Sequence, residues 1–326
     1  MHLQIRFSPS PGASLLSHML VAALFAVAGS SPAHAQANNT FYGSSAGAST
    51  TGSNNSFFGY TAGQGSTTGS NNSFFGSQAG NTNSAGGENS FFGSGAGRYS
   101  AGNRNSFFGS QAGSRSSGGD NAFFGSFAGL NDSTGASNSF FGSFAGRTNR
   151  TGSGNAFFGM LAGEASTASY NSFFGGNAGR TNDSGTFNAF FGYSTGSSNK
   201  TGSNNSFFGT NAGASNTSEN NNTFIGANSN GAAGINNATA IGAGAVVTRS
   251  NSLVLGKVST GNSTDSVNVG IGTTAPKAQL HLQGGDLYVG QQGRGIILKS
   301  PNGLHCHLLA VSDGGAVVLT SLRACP

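Results

Sequence analysis

Charged side chains are scarce in this chain of 326 residues, where Asp, Glu, Lys and Arg together make up 7 %, against about 25 % in an ordinary globular domain. The nine acidic residues and six histidines leave few groups for acid–base chemistry, so we expect neither an enzyme nor a bound cofactor. The net charge is +5, but the basic residues are scattered singly. Nucleic acid is therefore a poor candidate for a partner, because clustered basic residues bind it.

Long apolar runs are missing beyond the N-terminus, so no membrane-spanning segment is expected in the mature chain. The N-terminal segment has a basic start, an apolar run over residues 15–28 and a small-x-small motif that ends at Ala35. This order is typical of a secretory signal peptide, cleaved between Ala35 and Gln36. A membrane anchor is the alternative, but Ser17 and His18 interrupt a run that is already short for a span. We therefore expect a secreted or cell-surface protein.

Tryptophan is absent, whereas the chain contains 56 Gly, 36 Asn and 27 Phe. Collagen would need Gly at every third position, and a disordered linker would lack the Phe. The high content of Gly, Asn and Phe comes largely from the motif Asn-x-Phe-Phe-Gly, which recurs with small variations in twelve units. The second aromatic position is Phe in ten units, Tyr42 in the first and Ile225 in the last. The first aromatic residues are Phe41, Phe57, Phe74, Phe91, Phe107, Phe123, Phe140, Phe157, Phe173, Phe190, Phe207 and Phe224.

The spacing of these units predicts an all-β fold in which each repeat forms one coil of a β-solenoid. The step is either sixteen positions, as from Phe41 to Phe57, or seventeen, as from Phe57 to Phe74. Such a step is too short for two-helix repeats, and Gly and Asn at this density disfavour helix. The Phe-Phe pair is expected to form a short strand, with Gly, Asn and Ser at the corners.

Strands of successive coils would lie about 4.8 Å apart. Asn stands two positions before the first aromatic residue in all twelve units, from Asn39 to Asn222. Asn residues at equal positions would stack into amide ladders that bind the backbone of the next coil.

The two rings of each aromatic pair should lie on opposite faces of the strand, so Phe58 faces outward if Phe57 fills the coil. Ten outward rings per chain would be an aggregation hazard unless they were buried between chains. Because burial of one Phe contributes about 1.5–3 kcal/mol, we expect an obligate oligomer. A monomeric solenoid wide enough to enclose both rings is the alternative. The ten predicted interface residues are Phe58, Phe75, Phe92, Phe108, Phe124, Phe141, Phe158, Phe174, Phe191 and Phe208.

The C-terminal third carries a resemblance to known fibrous proteins. Residues 240–245, with a step of fourteen positions between Ile241 and Leu255, resemble the heads of trimeric autotransporter adhesins. Residues 268–284, with the run Val-Gly-Ile-Gly-Thr-Thr-Ala-Pro, resemble the stretch that introduces the C-terminal domains of phage-type tail fibres. The Phe-Phe-Gly array is similar to repeats of bacterial surface proteins that accompany these modules. The resemblance implies a parallel homotrimer of left-handed β-rolls, with the second Phe of each pair at the threefold axis.

Four segments follow from these patterns. We assign residues 1–35 to the signal peptide and 36–233 to the Phe-Phe-Gly solenoid. Residues 234–286 are assigned to an adhesin-head or tail-fibre-like β-roll and neck. Residues 287–326, which alternate apolar runs with turn signals, are expected to form a small β-rich cap that covers the strand edges at the end of the solenoid.

The predicted cap contains both cysteines of the chain, Cys306 and Cys325. In an exported protein they are expected to form a disulfide, with two free thiols as the alternative. His305 and His307 flank Cys306 and would share one face of a strand. At a threefold axis, three such pairs would offer six nitrogen ligands to a metal ion, as in some tail fibres. Histidines that are simply exposed or packed in the cap are the competing interpretation.

Together these features favour an exported structural and adhesive protein that presents a repetitive surface to host or environmental glycans or to matrix proteins. A phage-derived, tail-fibre-like receptor-binding protein is the first alternative. An ice- or glycan-binding solenoid is the second, because threonines recur at one corner. Those residues are Thr51, Thr68, Thr151 and Thr201.

Overall fold

The computed structural model describes residues 38–257, 267–287, 289, 295–300 and 305–321. The chain divides into two compact units, residues 1–260 and 261–326. All regular structure within the described residues is β, with no helix, so the predicted all-β class is confirmed. The predicted signal peptide, including its cleavage site between Ala35 and Gln36, lies outside the described residues.

The first unit is a parallel β-solenoid whose repeats each contribute one three-residue strand. Twelve Phe-Phe-Gly strands and two later strands, β14 and β16, form one 14-stranded sheet, and the short strands β13 and β15 pair separately. The strands are β1 (Thr40–Tyr42), β2 (Ser56–Phe58), β3 (Ser73–Phe75), β4 (Ser90–Phe92), β5 (Ser106–Phe108), β6 (Ala122–Phe124), β7 (Ser139–Phe141), β8 (Ala156–Phe158), β9 (Ser172–Phe174), β10 (Ala189–Phe191), β11 (Ser206–Phe208), β12 (Thr223–Ile225), β13 (Asn230–Gly231), β14 (Thr239–Ile241), β15 (Val246–Val247) and β16 (Leu253–Leu255).

The strands pair in register, so residues at equal positions of successive coils form columns along the solenoid. Phe57 pairs with Phe74, and Phe58 pairs with Phe75. The first Phe of each pair from Phe57 onward is fully buried, and the rings stack at 4.6–4.9 Å between centroids. The buried rings pack against an Ala column, so one stacked column of Phe and Ala is the core.

Glycine follows each aromatic pair because only glycine fits there. Gly59 has φ +142°, and a Cβ at this position would lie 2.4 Å from the carbonyl oxygen of Gly76 in the next coil. The same conformation and close approach recur at each coil, since the backbones of neighbouring coils are in contact at this corner.

A ladder of Asn side chains, buried from Asn55 onward, precedes the strands, as the sequence predicted. Asn138 Oδ1 accepts a hydrogen bond from the Asn155 backbone N–H at 2.9 Å, and Asn138 Nδ2 donates to the Gly152 carbonyl at 2.8 Å. All twelve Asn residues of this ladder make the equivalent pair of bonds. The ladder consists of Asn39, Asn55, Asn72, Asn89, Asn105, Asn121, Asn138, Asn155, Asn171, Asn188, Asn205 and Asn222.

A second buried column, which we call the turn column, lies nine positions after the first Phe and accounts for the two coil lengths. In three of the longer coils the side-chain Oδ1 accepts from the N–H three residues on, as from Gly152 to Asn149 at 2.9 Å. In three others the side-chain Nδ2 donates to the carbonyl three residues on, as from Asn182 to Gly185 at 2.8 Å. Either bond lets one side chain hold a turn with one additional residue. Among these longer coils, only the one with Ser66 lacks Asn or Asp there. The others carry Asn83, Asp132, Asn149, Asn182, Asn199 and Asn216; the shorter coils carry Thr50, Ser100, Ser116 and Ser166.

The described residues of the second unit form two small sheets. β17 (Val269–Ile271) and β18 (Leu280–Leu282) pair in parallel. β19 (Ile296–Lys299), β20 (Cys306–Val311) and β21 (Val317–Ser321) form an antiparallel sheet. The predicted β-rich C-terminal segment is thereby confirmed as a small sheet, whereas its role as a cap stays a prediction. The 14-stranded sheet of the first unit runs across residue 233, where we placed a segment boundary.

Replacement of Asn138 by Ser should destabilise the solenoid, because the buried Asn155 N–H loses its partner and the Gly152 carbonyl keeps only its bond from Asn149 Nδ2. We expect a loss of about 1–3 kcal/mol in the free energy of unfolding, measured by guanidinium unfolding. The matched control is Asn204→Ser at an exposed position, where another coil carries Ser137. Equal stability of the two variants would contradict a structural role for the ladder.

Asp132 in the turn column should make stability depend on pH. Burial raises its pKa to about 8, against a hydrogen bond from the Gly135 N–H that favours the charged form. The folded chain therefore retains this proton longer than the unfolded chain as pH rises. The contribution is fully present below about pH 4 and is lost as pH rises to about 8, at about 1.4 kcal/mol per pH unit.

We therefore expect Asp132→Asn to become progressively more stable than the native chain between pH 4 and pH 8, with no further change above pH 8. Thermal unfolding at several pH values measures the difference, and the exposed Asp183→Asn variant controls for the loss of one negative charge. A constant difference between the native chain and Asp132→Asn over this range would show that Asp132 is ionised in the folded protein at neutral pH.

Candidate functional site

The outer face of the 14-stranded sheet carries a continuous apolar column. The second aromatic residue of each strand points away from the core, as predicted, and neighbouring rings stack at 4.6–5.0 Å from Phe58 to Phe208. These rings are half-buried by their neighbours, and Phe208 is 41 % exposed. The chain therefore does not form a solenoid wide enough to enclose both rings of a pair.

Other apolar residues extend this column at both ends. Tyr42 lies before Phe58, and Ile225, Ile241 and Leu255 follow Phe208 in register. We call the resulting column of fourteen residues the outer ladder. It comprises Tyr42, Phe58, Phe75, Phe92, Phe108, Phe124, Phe141, Phe158, Phe174, Phe191, Phe208, Ile225, Ile241 and Leu255.

Small uncharged residues flank the outer ladder on the same face. The residue before each buried Phe shares that face and is Ser, Ala or Thr in the twelve repeats, as at Ser73 and Ala122. No strand of the 14-stranded sheet contains a charged residue. At about 4.8 Å per strand the outer ladder extends over roughly 60 Å, which is far more apolar length than a monomer ordinarily exposes.

Charged residues occupy other columns, where opposite charges meet in neighbouring coils. Arg104 Nε lies 2.6 Å from Asp120 Oδ1, and this hydrogen bond lowers the pKa of Asp120. Glu164 is held between two arginines, 2.7 Å from Arg147 Nη2 and 2.9 Å from Arg180 Nε. These contacts lie outside the outer ladder and support the stacking of coils.

Glu219 lies in the last coil that carries a Phe-Phe pair. Burial alone would raise its pKa, but hydrogen bonds from the backbone N–H groups of Gly234, Thr217 and Ser218 hold the pKa of this carboxyl below its usual value. The carboxylate therefore joins two coils at the point where the Phe column gives way to smaller residues.

The threonines that suggested ice binding are exposed, namely Thr51, Thr68, Thr151 and Thr201. The hydroxyls of Thr51 and Thr151 donate to backbone carbonyls of the next coil, at 2.7 and 3.4 Å. Some of the threonines at this corner thus form hydrogen bonds between neighbouring coils.

The predicted C-terminal site is only partly described. Cys306 begins β20 and is 3 % exposed, while Cys325 lies outside the described residues, so the disulfide stays a prediction. His305 is exposed just before β20, and His307 Nδ1 lies 3.2 Å from Ser321 Oγ. Where the structure describes the chain, no three His, Cys, Asp or Glu side chains converge to hold a metal ion. A metal site shared by three chains stays a prediction.

The described part of the chain contains no helix that could cross a membrane.

Comparison with known proteins assigns the chain to no family. No protein-family model, no curated protein and no solved structure matches it. The resemblance to adhesin heads and tail fibres therefore rests on the motifs at residues 240–245 and 268–284. The first of them continues the solenoid, because Ala240 pairs in register with Phe224 on one side and with Val254 on the other.

Proposed function

We propose that this chain is an exported structural and adhesive protein that assembles as a homotrimer through its outer ladder. The observation that carries this proposal is the ladder itself, a half-exposed column of stacked rings without a charged neighbour on its face. A column that a single chain leaves in water is explained by its burial against further copies.

The outer ladder supplies a hydrophobic gain on the scale that association requires. If burial of the remaining surface of each ring contributes about 1 kcal/mol, the ten Phe residues contribute on the order of 10 kcal/mol per chain. This gain is comparable to the roughly 4–15 kcal/mol that association costs in translational and rotational freedom. The flanking Ser and Ala residues add further contact area.

Parallel copies suit the geometry of the ladder. The rings of the outer ladder recur once per coil at the same spacing in every copy. When two chains lie parallel, each ring of one chain can therefore meet a ring of the other along the whole ladder. The resemblance to trimeric adhesin heads supports three copies about a common axis. In such a trimer the exposed side chains at the corners of the coils face solvent on each copy. A binding partner would find the same arrangement of side chains repeated along the solenoid.

An adhesive role agrees with the rest of the chain. The predicted signal peptide at residues 1–35 supports export, and the small number of acids and bases supports binding rather than catalysis. Glycans or matrix proteins are the partners that we propose for the exposed corners. A tail-fibre-like receptor-binding protein remains the alternative within the same architecture, and cellular location distinguishes the two.

The oligomer is tested by combined replacement of Phe124, Phe141 and Phe158 with Ser. We expect the native chain to be a trimer by light scattering at micromolar concentration and the triple variant to dissociate or to bind its partners at least 100-fold more weakly. A native chain that is a stable monomer at this concentration would refute the oligomer.

The matched control is the double variant Phe127→Ser and Phe144→Ser. These two rings also stack on the surface, at 5.2 Å, but in a different column, where other coils carry Ser45 and Ser194. This variant should remain trimeric. Dissociation of the control together with the triple variant would indicate that loss of surface aromatic residues, and not the outer ladder, disrupts assembly.

Cell fractionation tests export. We expect the chain at the cell surface or in the medium, with an N-terminus at Gln36 by mass spectrometry. An intact N-terminus and a cytoplasmic location would refute the adhesive proposal and favour the tail-fibre alternative.

A further inference from the structure

A surface pocket is formed by residues of four successive coils, those of β3 to β6. Its volume is about 320 Å³, which suits a single sugar ring and lies at the lower end of ligand-binding cavities. None of the outer-ladder residues lines it. The pocket is therefore formed by other columns of the solenoid than the proposed interface between copies.

The pocket exists because one coil lacks a side chain that its neighbours have. Gly95 occupies the column four positions after the first Phe, where the adjacent coils carry Gln78 and Gln111. All three residues share a left-handed backbone, with φ of 67°, 61° and 55°. The glycine is therefore not required by the backbone conformation, and its small size leaves the gap.

Two arginines and an aromatic ring border the gap. The Arg98 guanidinium lies 4.9 Å above the Tyr99 ring, and its Nε is buried without a hydrogen-bond acceptor among the described residues. Arg115 Nη1 donates to Asn131 Oδ1 at 3.0 Å. No acidic residue lines the pocket, so its lining carries two positive charges and no negative charge.

We propose that this pocket binds an acidic sugar unit of a glycan, a uronic acid or a similar carboxylated ring. The carboxylate would be held by Arg98 and Arg115, because guanidinium groups bind carboxylates through paired, charge-assisted hydrogen bonds. The amides of Gln78, Gln111 and Asn131 supply donors and acceptors for ring hydroxyls. Tyr99, which is 45 % exposed, offers an apolar surface to the ring.

A sugar fits these features better than an acidic peptide does. Three amide side chains, Gln78, Gln111 and Asn131, line the pocket together with the arginines, and the hydroxyls of a sugar ring would use them, whereas the carboxylate of a peptide side chain would leave them unused. This site rests on the proposed adhesive function and gives it a ligand class, but a binding test on the purified chain needs neither export nor assembly.

The test is isothermal titration of the purified full chain with methyl β-D-glucuronide, methyl β-D-glucoside, acetate and a Glu-rich peptide. We expect the glucuronide to bind at least ten-fold more tightly than the other three probes. Equal binding of the glucoside would refute the role of the carboxylate. Equal binding of acetate or of the peptide would refute recognition of a sugar ring.

Two variants locate the site. Arg98→Gln should weaken glucuronide binding at least ten-fold, and Gly95→Gln should abolish it by filling the gap with the side chain that both neighbouring coils carry. A Cβ at Gly95 would lie 3.4 Å from the flexible Gln111 side chain, so this variant is expected to fold. Arg150→Gln, an exposed arginine outside the pocket, removes the same charge and should bind like the native chain. Full binding by Gly95→Gln would overturn the proposal.

The outcome is separable from that of the adhesive function. If the native chain binds no glucuronide but adheres to other glycans or matrix proteins, this site is wrong and the function stands. If it binds glucuronide yet stays in the cytoplasm, the adhesive function is wrong and the site stands.

Discussion

The Asn ladder ties each coil to the next through a side chain that both accepts and donates. Asn138 satisfies the Asn155 N–H and the Gly152 carbonyl simultaneously, and both bonds form only if the coils lie in register at the spacing of a β-sheet. Ring stacking, the Ala and Gly packing below the rings and the close approach of backbones at Gly59 all depend on the same register. No coil can bury its own Phe alone, so the stability of this unit is collective.

The strict register also explains why charge is scarce. A residue repeated at one position faces its copies about 5 Å away, and like charges at that distance repel each other. Several of the charged residues are found where the neighbouring coil offers the opposite sign, as with Arg104 and Asp120, or where one carboxylate serves two arginines, as with Glu164. Polar amides and hydroxyls, which both donate and accept, avoid this problem and fill the remaining columns.

The period, the strand position, the Asn ladder and the two faces of the Phe pair were predictable, since each follows from spacing and from strand alternation. The pocket was not predicted, although Gly95 between Gln78 and Gln111 was visible in the aligned repeats, because a missing side chain gives a site only when its neighbours are known to enclose it. The burial of Asp132 also escaped prediction, since an Asp among Asn residues of one column becomes informative only when that column is known to face inward. Export depends on the N-terminal segment, and the number of chains depends on contacts between copies. The pairing of strands within one chain defines neither of them.

Because of the turn column, coils of different length keep the same strand register. A shorter coil with Ser116 and a longer coil with Asn149 present the same strand at the same place, because the difference is absorbed in one corner. The gain or loss of a whole repeat therefore preserves the strand pairing, the ring stacking and the Asn ladder. Each added or lost repeat would thus change the length of the solenoid by one coil, about 5 Å, without any change in the fold of the other coils.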